Sequence, residues 1–320
     1  MNLVWVVGGH GLLGSALVRT LQRGEQQVFE APRRLRWNER TLLHADLAQA
    51  TTAFVAAAQG ADTWCVCWAA GVGTMLSTHA AMALETAAFK QLLDALAANP
   101  SMDNIPGRIA LASSAGAIYA GCRDAVITEA SRAAPTTPYA QAKLQQEASL
   151  AAYMVARPSV AALAARLSTI YGVGQESGKQ QGLLSHIARC TVRGEPVRIY
   201  VPLDTIRDYM AVDDAAAAIT QALREVPTGG MQRKLIASER PTTISELLSI
   251  FRRISRRPPR IITAAAAASS LYARKVQFRS VLLPDTVSTQ RVSLVVGIAR
   301  LMDAERARHA AGKRALPPAH

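Results

Sequence analysis

Tyr139 and Lys143 are the residues whose types and spacing most directly suggest chemistry. They stand four positions apart near the start of a predicted helix that runs to about residue 156, so their side chains share one face. A tyrosine has an ordinary pKa of about 10, but a nearby ammonium group favours the phenolate and lowers that pKa. The pair is therefore predicted to act as acid and base when a hydroxyl and a carbonyl interconvert. Taken alone, it also fits a solvated helix face.

Hydroxyl side chains stand at the end of a predicted strand. Residues 108–112 form a short apolar run, and Ser113 and Ser114 follow it directly. Active sites of parallel α/β sheets lie at the carboxyl ends of their strands. Ser114 is therefore a candidate catalytic and substrate-binding residue, whose hydroxyl would steady the substrate oxygen.

The N-terminus carries a turn that would hold a cofactor. An apolar run at 4–7 predicts a buried strand, and Gly8, Gly11 and Gly14 follow before a helical pattern at 16–21. In a dinucleotide-binding turn the first glycine permits the bend, the second lets the backbone approach a pyrophosphate and the third lets helix and strand pack closely. A purely structural turn is the alternative. The predicted cofactor contacts, which include the helix N-terminus, are Gly8, Gly11, Leu12, Leu13 and Gly14.

The segment after the second predicted strand, at 27–31, bears on which dinucleotide binds. In NAD-specific folds an acidic residue near the end of this strand binds the ribose hydroxyls. Arg33 and Arg34 stand near that place and match a ribose 2′-phosphate, which favours NADP. Glu30, two residues early, keeps NAD possible.

Residues 42–47 resemble a third short strand that ends in Asp46 and Leu47. This places both residues at the cofactor, with the Asp46 carboxylate near the adenine amino group. The alternative is that Asp46 caps a helix at 48–58.

Strand four, at 63–68, ends in Ala69 and Ala70, whose small side chains would let the cofactor lie against the backbone. Further strands are predicted at 160–167, 197–201 and 235–237, and further helices at 80–98, 183–193, 215–224 and 242–255. This alternation is typical of an α/β fold, a Rossmann-type doubly wound parallel sheet. A smaller C-terminal substrate-binding domain is expected beside it. The predicted Rossmann domain is 1–170 with 197–224 returning to it, the substrate-binding region is 171–196 and 225–310, a mobile loop lies at 176–182, and 311–320 forms a disordered tail.

Composition excludes several classes of protein. The 320 residues, half of them hydrophobic, suffice for a large core. No apolar run is long enough to span a bilayer and no signal peptide is visible, so a cytoplasmic protein is expected. Cys65 and Cys67 would point to one sheet face as buried free thiols, with no metal site.

The net charge of +13 is concentrated near the C-terminus. Residues 251–320 contain fourteen Lys and Arg against three Asp and Glu. A solvated basic face is the favoured interpretation, although an anionic substrate also fits. No aromatic residues interleave the arginines, so no nucleic-acid binding is predicted.

These features together resemble the extended short-chain dehydrogenase/reductase family, in its NAD(P)-dependent nucleotide-sugar epimerase/dehydratase branch. The resemblance covers about residues 3–255. It rests on six motifs in order: Gly-Gly-His-Gly-Leu-Leu-Gly from Gly8, Ala-Ala-Gly from Ala69, Ser-Ser with Ile118-Tyr119, Tyr139 with Lys143, Arg-Leu-Ser-Thr-Ile-Tyr-Gly-Val-Gly-Gln from Arg166, and Arg-Asp-Tyr-Met-Ala-Val-Asp-Asp from Arg207.

The resemblance implies an oxidoreductase that acts on a nucleotide-activated sugar, as a 4-epimerase or a 4-ketoreductase. It implies Tyr139 as the acid/base, Lys143 as a ribose ligand that modulates the pKa of Tyr139, and Arg207 as a ligand of the substrate diphosphate, although Arg207 could instead pair with Asp204 or Asp208. A homodimer formed through the helices at 80–98 and 139–156 is common in the family. A reductase of a non-sugar carbonyl and an inactive nucleotide sensor are the alternatives.

Three departures from the family pattern stand out. The family's catalytic Ser/Thr aligns with Ala115, so Ser114 would have to replace it. Gly116 and Ala117 stand where dehydratases of this branch carry an Asp-Glu pair, which argues against dehydratase chemistry. The usual Gly-Asp-Gly before Arg207 is replaced by residues 201–204, Val-Pro-Leu-Asp.

Overall fold

The protein is described by a computed structural model over residues 2–37, 39–174, 182–255, 258–263, 274–282 and 291–314. The mobile loop predicted at 176–182 falls, apart from Gly182, outside the described residues.

The described elements alternate between strand and helix over most of the chain. The strands are β1 Asn2–Val7, β2 Gln27–Phe29, β3 Thr63–Trp68, β4 Gly107–Ser114, β5 Val160–Leu167, β6 Thr169–Tyr171, β7 Val197–Ile199, β8 Ile206–Ala211, β9 Met231–Ile236, β10 Pro241–Thr243 and β11 Ile261–Thr263. The helices are α1 Leu12–Arg23, α2 Arg40–Ala58, α3 His79–Ala97, α4 Ala115–Ile118, α5 Pro138–Met154, α6 Leu183–Arg193, α7 Val212–Glu225, α8 Ile244–Ile254 and α9 Leu294–Arg314.

The central sheet has six strands in the order β2-β1-β3-β4-β5-β9, all paired in parallel. Its inner strands are apolar because helices cover both faces. Helices α2, α3 and α5 pack on one face around Phe54, Phe89 and Leu150. Helices α1 and α7 pack on the other around Leu17 and Ile219. The predicted doubly wound Rossmann-type fold is confirmed.

The third strand predicted at 42–47 is wrong, because these residues form the first half of α2. Leu43 and Leu47 lie four positions apart on one helix face and are buried under the sheet. The sheet therefore ends at β2. Asp46 lies inside the helix rather than at its N-terminus, so the alternative of a cap is also wrong.

The C-terminal part differs from the predicted division in two ways. Strand β9 pairs with β5 and extends the central sheet, so residues 212–236, in α7 and β9, return to the Rossmann domain. Strand β7 instead pairs with β11 in a separate two-stranded sheet, and β10-β8-β6 form a third sheet.

Helices α6, α8 and α9 pack together around Ile187, Phe251 and Ile298. Thr243 caps α8 and exchanges hydrogen bonds with Glu246, as a predicted cap should. Within the disordered tail predicted at 311–320, residues 311–314 are instead the end of α9, and residues 315–320 lie outside the described residues.

The thiols of Cys65 and Cys67 lie on one face of β3, with their Sγ atoms 3.9 Å apart, and both cysteines are free. Cys67 is buried and Cys65 is partly exposed. No helix in the described part of the chain is both long and apolar enough to cross a membrane.

Candidate active site

The glycine turn after β1 has the close approaches that a dinucleotide cradle needs. Gly8 adopts a φ of 88°, and a Cβ on it would lie 2.8 Å from the backbone of Ala70. A Cβ on Gly14 would lie 2.0 Å from the carbonyl oxygen of Gly8. A Cβ on Gly11 would meet only that oxygen, at 3.4 Å, which leaves open space at the start of α1. This geometry fits a pyrophosphate against the backbone.

The remaining residues predicted at this cradle divide into exposed and buried ones. Leu12 is partly exposed in the first turn of α1, whereas the Leu13 side chain packs against the sheet. Ala69 donates its N–H to Val7 and leads the chain past Gly8. Backbone groups at the end of β3 therefore lie beside the glycine turn, where small side chains are required.

The basic segment after β2 has one engaged arginine and two exposed ones. Arg36 donates from Nε and Nη2 to the Asp46 carboxylate at 2.8 and 2.6 Å. This pairing raises the pKa of Arg36 and lowers that of Asp46. Arg33 lies 4.0 Å from Asp46 with 56% of its side chain exposed, and Arg34 is exposed. Arg33 and Arg34 therefore remain accessible to a ligand.

Asp46 and Leu47 are not brought to the glycine turn as predicted. The Asp46 carboxylate is buried against Arg36, and the Leu47 side chain is fully buried in the core with Trp5 and Phe54. Both positions follow from α2 replacing the expected strand.

The helix that carries Tyr139 and Lys143 begins where its sequence predicts. Thr137 caps α5 by accepting a hydrogen bond from Ala140 N–H, and Pro138 occupies the first turn. One turn later the Lys143 Nζ lies 5.7 Å from the centre of the Tyr139 ring. It donates to the Ala112 carbonyl and to Gln146 Oε1, both at 3.1 Å. The two side chains thus lie at the carboxyl end of β4.

The pKa of Tyr139 is raised to about 12, where the sequence predicted a lowered value. Burial is the main cause, since it penalises the phenolate. Hydrogen bonding from Ser114 lowers the pKa and the charge of Glu85 raises it, but neither outweighs burial. Burial also lowers the pKa of Lys143.

Ser114 ends β4 and caps the short helix α4. Its Oγ accepts a hydrogen bond from Ala117 N–H at 3.3 Å and influences the Tyr139 hydroxyl. Ala115, the position that aligns with the family's catalytic hydroxyl, is fully buried beside Ile118. The hydroxyl that accompanies Tyr139 is therefore that of Ser114.

A buried polar network supports α5 from behind. Arg166 donates to both oxygens of Glu147, at 2.9 and 2.6 Å, and to the Tyr119 hydroxyl. Ser113 Oγ donates to Glu147 at 2.6 Å. These contacts join α5 to β4 and β5, so they fix the helix that carries Tyr139.

Arg207 lies in β8, in a strand that leads into α7. The two carboxylates considered as its partners are engaged elsewhere. Asp204 pairs with Arg274, and the buried Asp208 accepts hydrogen bonds from Ser238. The role of Arg207 as a diphosphate ligand stays a prediction.

Glu85 was not anticipated from the sequence. It lies on α3 with 9% of its surface exposed, and its Oε1 accepts hydrogen bonds from the N–H groups of Val72 and Gly73. An acidic residue in an alanine-rich helix carries no local signal of such a contact. Among the described residues, no three His, Cys, Asp or Glu side chains form a potential metal site.

Comparisons with known proteins identify the family of this chain. The family model described as NAD dependent epimerase/dehydratase family matches residues 4–235. Among curated proteins, no sequence match was found.

Several solved structures share the fold along nearly the whole chain. A UDP-glucose 4-epimerase from Thermus thermophilus in complex with NAD has a TM-score of 0.77 at 20% identity, covering 96% of this chain and 99% of that one. MoeE5 in complex with UDP-glucuronic acid and NAD has a TM-score of 0.76 at 22% identity, covering 96% and 100%. RMD from Pseudomonas aeruginosa, complexed with NADPH, has 0.76 at 19%, again covering 96% and 100%. Because the family model spans most of the chain, the protein belongs to the NAD dependent epimerase/dehydratase family, within the extended short-chain dehydrogenases/reductases.

Proposed function

We propose that the protein is an NAD(P)-dependent oxidoreductase that acts on a nucleotide-activated sugar, as a 4-ketoreductase or a 4-epimerase. The observation that carries this proposal is the position of Tyr139, Lys143 and Ser114 at the end of β4, in a fold whose glycine turn leaves room for a pyrophosphate. Among the solved structures named above, MoeE5 is in complex with UDP-glucuronic acid and NAD, the UDP-glucose 4-epimerase with NAD and RMD with NADPH.

The cofactor would be held by the glycine turn and the first turn of α1. A bound nicotinamide supplies or accepts the hydride. We propose NADP rather than NAD, because Arg33 and Arg34 are accessible after β2 while Arg36 is engaged by Asp46. Guanidinium groups suit a ribose 2′-phosphate.

The chain's own residues would handle the proton and the substrate oxygen. Ser114 donates a hydrogen bond to the carbonyl oxygen, and Tyr139 gives that oxygen its proton as an alkoxide develops. In the oxidising direction Tyr139 takes the hydroxyl proton instead. Lys143, which is anchored to the Ala112 carbonyl, holds its ammonium beside the phenol and would bind the ribose of the cofactor. Arg207 would bind the diphosphate of the substrate.

The first experiment is to denature the purified protein, identify any released nucleotide and titrate the emptied protein with NADPH and NADH. Retained NAD would favour an epimerase, which regenerates its cofactor in every cycle, and would contradict the 2′-phosphate site. An empty protein that prefers NADPH would favour a reductase. No binding of either would contradict the proposed function.

Tyr139→Phe separates an enzyme from an inactive sensor. We expect turnover to fall by about 10²- to 10⁴-fold, since one proton donor is lost, while NADPH affinity stays within about two-fold. Turnover would be followed by NADPH oxidation, or by conversion of the sugar, with a panel of UDP-sugars and their 4-keto forms. Unchanged turnover would exclude Tyr139 as the acid/base.

A reductase of a non-sugar carbonyl is the second candidate, and one observation favours it. The loop after β3 exposes Val72 and Leu76, at 63% and 59% of their surfaces, and Val72 adjoins Gly73 beside the Tyr139 ring. An apolar substrate would cover these side chains. NADPH oxidation with apolar ketones, and none with nucleotide sugars, would decide for it.

The predicted homodimer also stays a proposal. Helices α3 and α5 pack against each other, and the 87% exposed Val155 follows directly after α5. Sedimentation of the purified chain would establish whether it dimerises.

A further inference from the structure

We propose that Glu85 is a positioning residue of the catalytic site, which holds residues 71–73 against Tyr139 and places a carboxylate behind the loop that contacts the phenol ring. This inference rests on the proposed function, because it deepens the role of Tyr139 as proton donor.

Glu85 is held by two short hydrogen bonds from the backbone. Its Oε1 accepts hydrogen bonds from Val72 N–H at 2.6 Å and Gly73 N–H at 2.7 Å. Such short bonds from backbone amides hold the carboxylate in one position. A carboxylate this deeply buried would be costly without them. No ion pair neutralises Glu85 among the residues that the structure describes, so its charge acts on the site itself.

The loop at residues 71–73 lies between Glu85 and Tyr139. A Cβ on Gly71, whose φ is 142°, would come within 2.8 Å of Glu85 Oε2. A Cβ on Gly73 would come within 3.0 Å of Tyr139 Cδ2. The loop backbone therefore contacts the carboxylate on one side and the phenol ring on the other. Moving Glu85 would therefore free the loop that contacts the Tyr139 ring.

Glu85 also acts electrostatically on Tyr139 and Lys143. The charge of Glu85 raises the pKa of both Tyr139 and Lys143. Glu147 is a second carboxylate near Lys143, but the bidentate contact of Arg166 offsets its charge. Glu85 is thus the carboxylate whose charge is left to oppose formation of a phenolate.

A protonated phenol suits the reductive direction of the reaction. The carbonyl carbon gains the hydride of a reduced nicotinamide, the carbonyl oxygen gains the Tyr139 proton, and Tyr139 recovers a proton from solvent. When Tyr139 has given up its proton, the phenolate lies close to Glu85. Reprotonation of Tyr139 from solvent is therefore favoured. Glu85 therefore contributes to keeping the phenol protonated between turnovers, which is the form that reduction of a carbonyl requires.

The charge is tested with Glu85→Gln, which keeps the side-chain size and one carbonyl oxygen for the two N–H groups. Each protein is mixed rapidly into buffers of increasing alkaline pH, and the absorbance of the phenolate is read before unfolding begins. Subtracting the same series for Tyr139→Phe, in both backgrounds, isolates Tyr139. We expect Tyr139 to ionise at lower pH in Glu85→Gln than in the wild type.

The matched control is Asp94→Asn, which removes one negative charge from an exposed position of the same helix. In Asp94→Asn, Tyr139 should ionise at the same pH as in the wild type. Equal curves for Glu85→Gln and the wild type would overturn the electrostatic role. No substrate or cofactor is needed, so this result is independent of the titrations that test the proposed function.

The positioning role is tested with Glu85→Asp, which keeps the charge but shortens the side chain by one methylene. We expect hydrogen exchange of the Val72 and Gly73 amides to speed up by on the order of ten-fold, because their charge-assisted bonds are lost. The Tyr139 ionisation curve should stay closer to the wild type than to Glu85→Gln. Unchanged amide exchange in Glu85→Asp would overturn this role, even if Glu85→Gln does not fold.

Discussion

Lys143 holds its ammonium 5.7 Å from the centre of the Tyr139 ring while it donates to a backbone carbonyl and a glutamine side chain. Its position is fixed by these anchors. Burial of the phenol outweighs nearby charge, so the pKa of Tyr139 is about 12 before a substrate binds.

This pKa predicts how the rate depends on pH. A folded-state pKa raised above the ordinary value means that the protonated phenol is fully present below about pH 10, and is lost as pH rises through about 12. We therefore expect that ionisation of Tyr139 does not lower the reductive kcat between neutral pH and about pH 10. The oxidative kcat should rise with pH. Both are measured with saturating cofactor. A reductive rate that falls near neutral pH because Tyr139 loses its proton would contradict this prediction.

Ser114→Ala is expected to lower kcat by on the order of 10²-fold, since one hydrogen bond to the developing alkoxide is lost. Ser114→Thr keeps the hydroxyl and should retain most of the activity. Adding Ala115→Ser to Ser114→Ala should not restore turnover, because position 115 is fully buried. Rescue by the second change would instead assign the hydroxyl to position 115.

Gly11→Ala and Gly14→Ala separate binding from folding. At Gly11 the φ of −75° and the 3.4 Å clearance admit a methyl group, so we expect a wild-type Tm with NADPH affinity weakened by about ten-fold or more. At Gly14 the methyl group would collide with the Gly8 carbonyl, so Tm itself should fall. Thermal unfolding and fluorescence titration measure the two effects. Normal NADPH binding by Gly11→Ala would exclude this turn as the pyrophosphate site.

Arg33→Ala is expected to weaken NADPH binding by about ten-fold, or about 1.4 kcal/mol, and to leave NADH binding unchanged. Arg34→Ala should act in the same direction. The matched control is Arg40→Ala, which removes an exposed arginine from the first turn of α2. Equal losses for NADPH and NADH would point to a general charge effect and not to a 2′-phosphate.

The central fold was predictable because its signals are local. The strands at residues 63–68 and 160–167 and the helix at 183–193 match their predicted bounds, since each is an apolar or amphipathic run with breakers at both ends. Residues 42–47 were misassigned because a short apolar run with two leucines fits either strand or helix. Only the packing of Leu43 and Leu47 under the sheet distinguishes them.

The candidate site was predictable where a motif carries it and not where tertiary contacts do. The Tyr139 and Lys143 pair follows from spacing on one helix. The choice of Ser114 over Ala115 depends on where β4 ends and α4 begins, and the part of Glu85 depends on a loop folding back onto α3. The pKa of Tyr139 depends on burial, which spacing does not reveal.

The replacement of a third strand by α2 has a consequence for association between molecules. It makes β2 the outermost strand of the central sheet, with backbone groups that lack a neighbouring strand on one side. Such edges invite pairing with other chains. At three residues, followed by Glu30, Pro32 and two arginines, β2 is a short edge that offers little backbone for another chain to pair with.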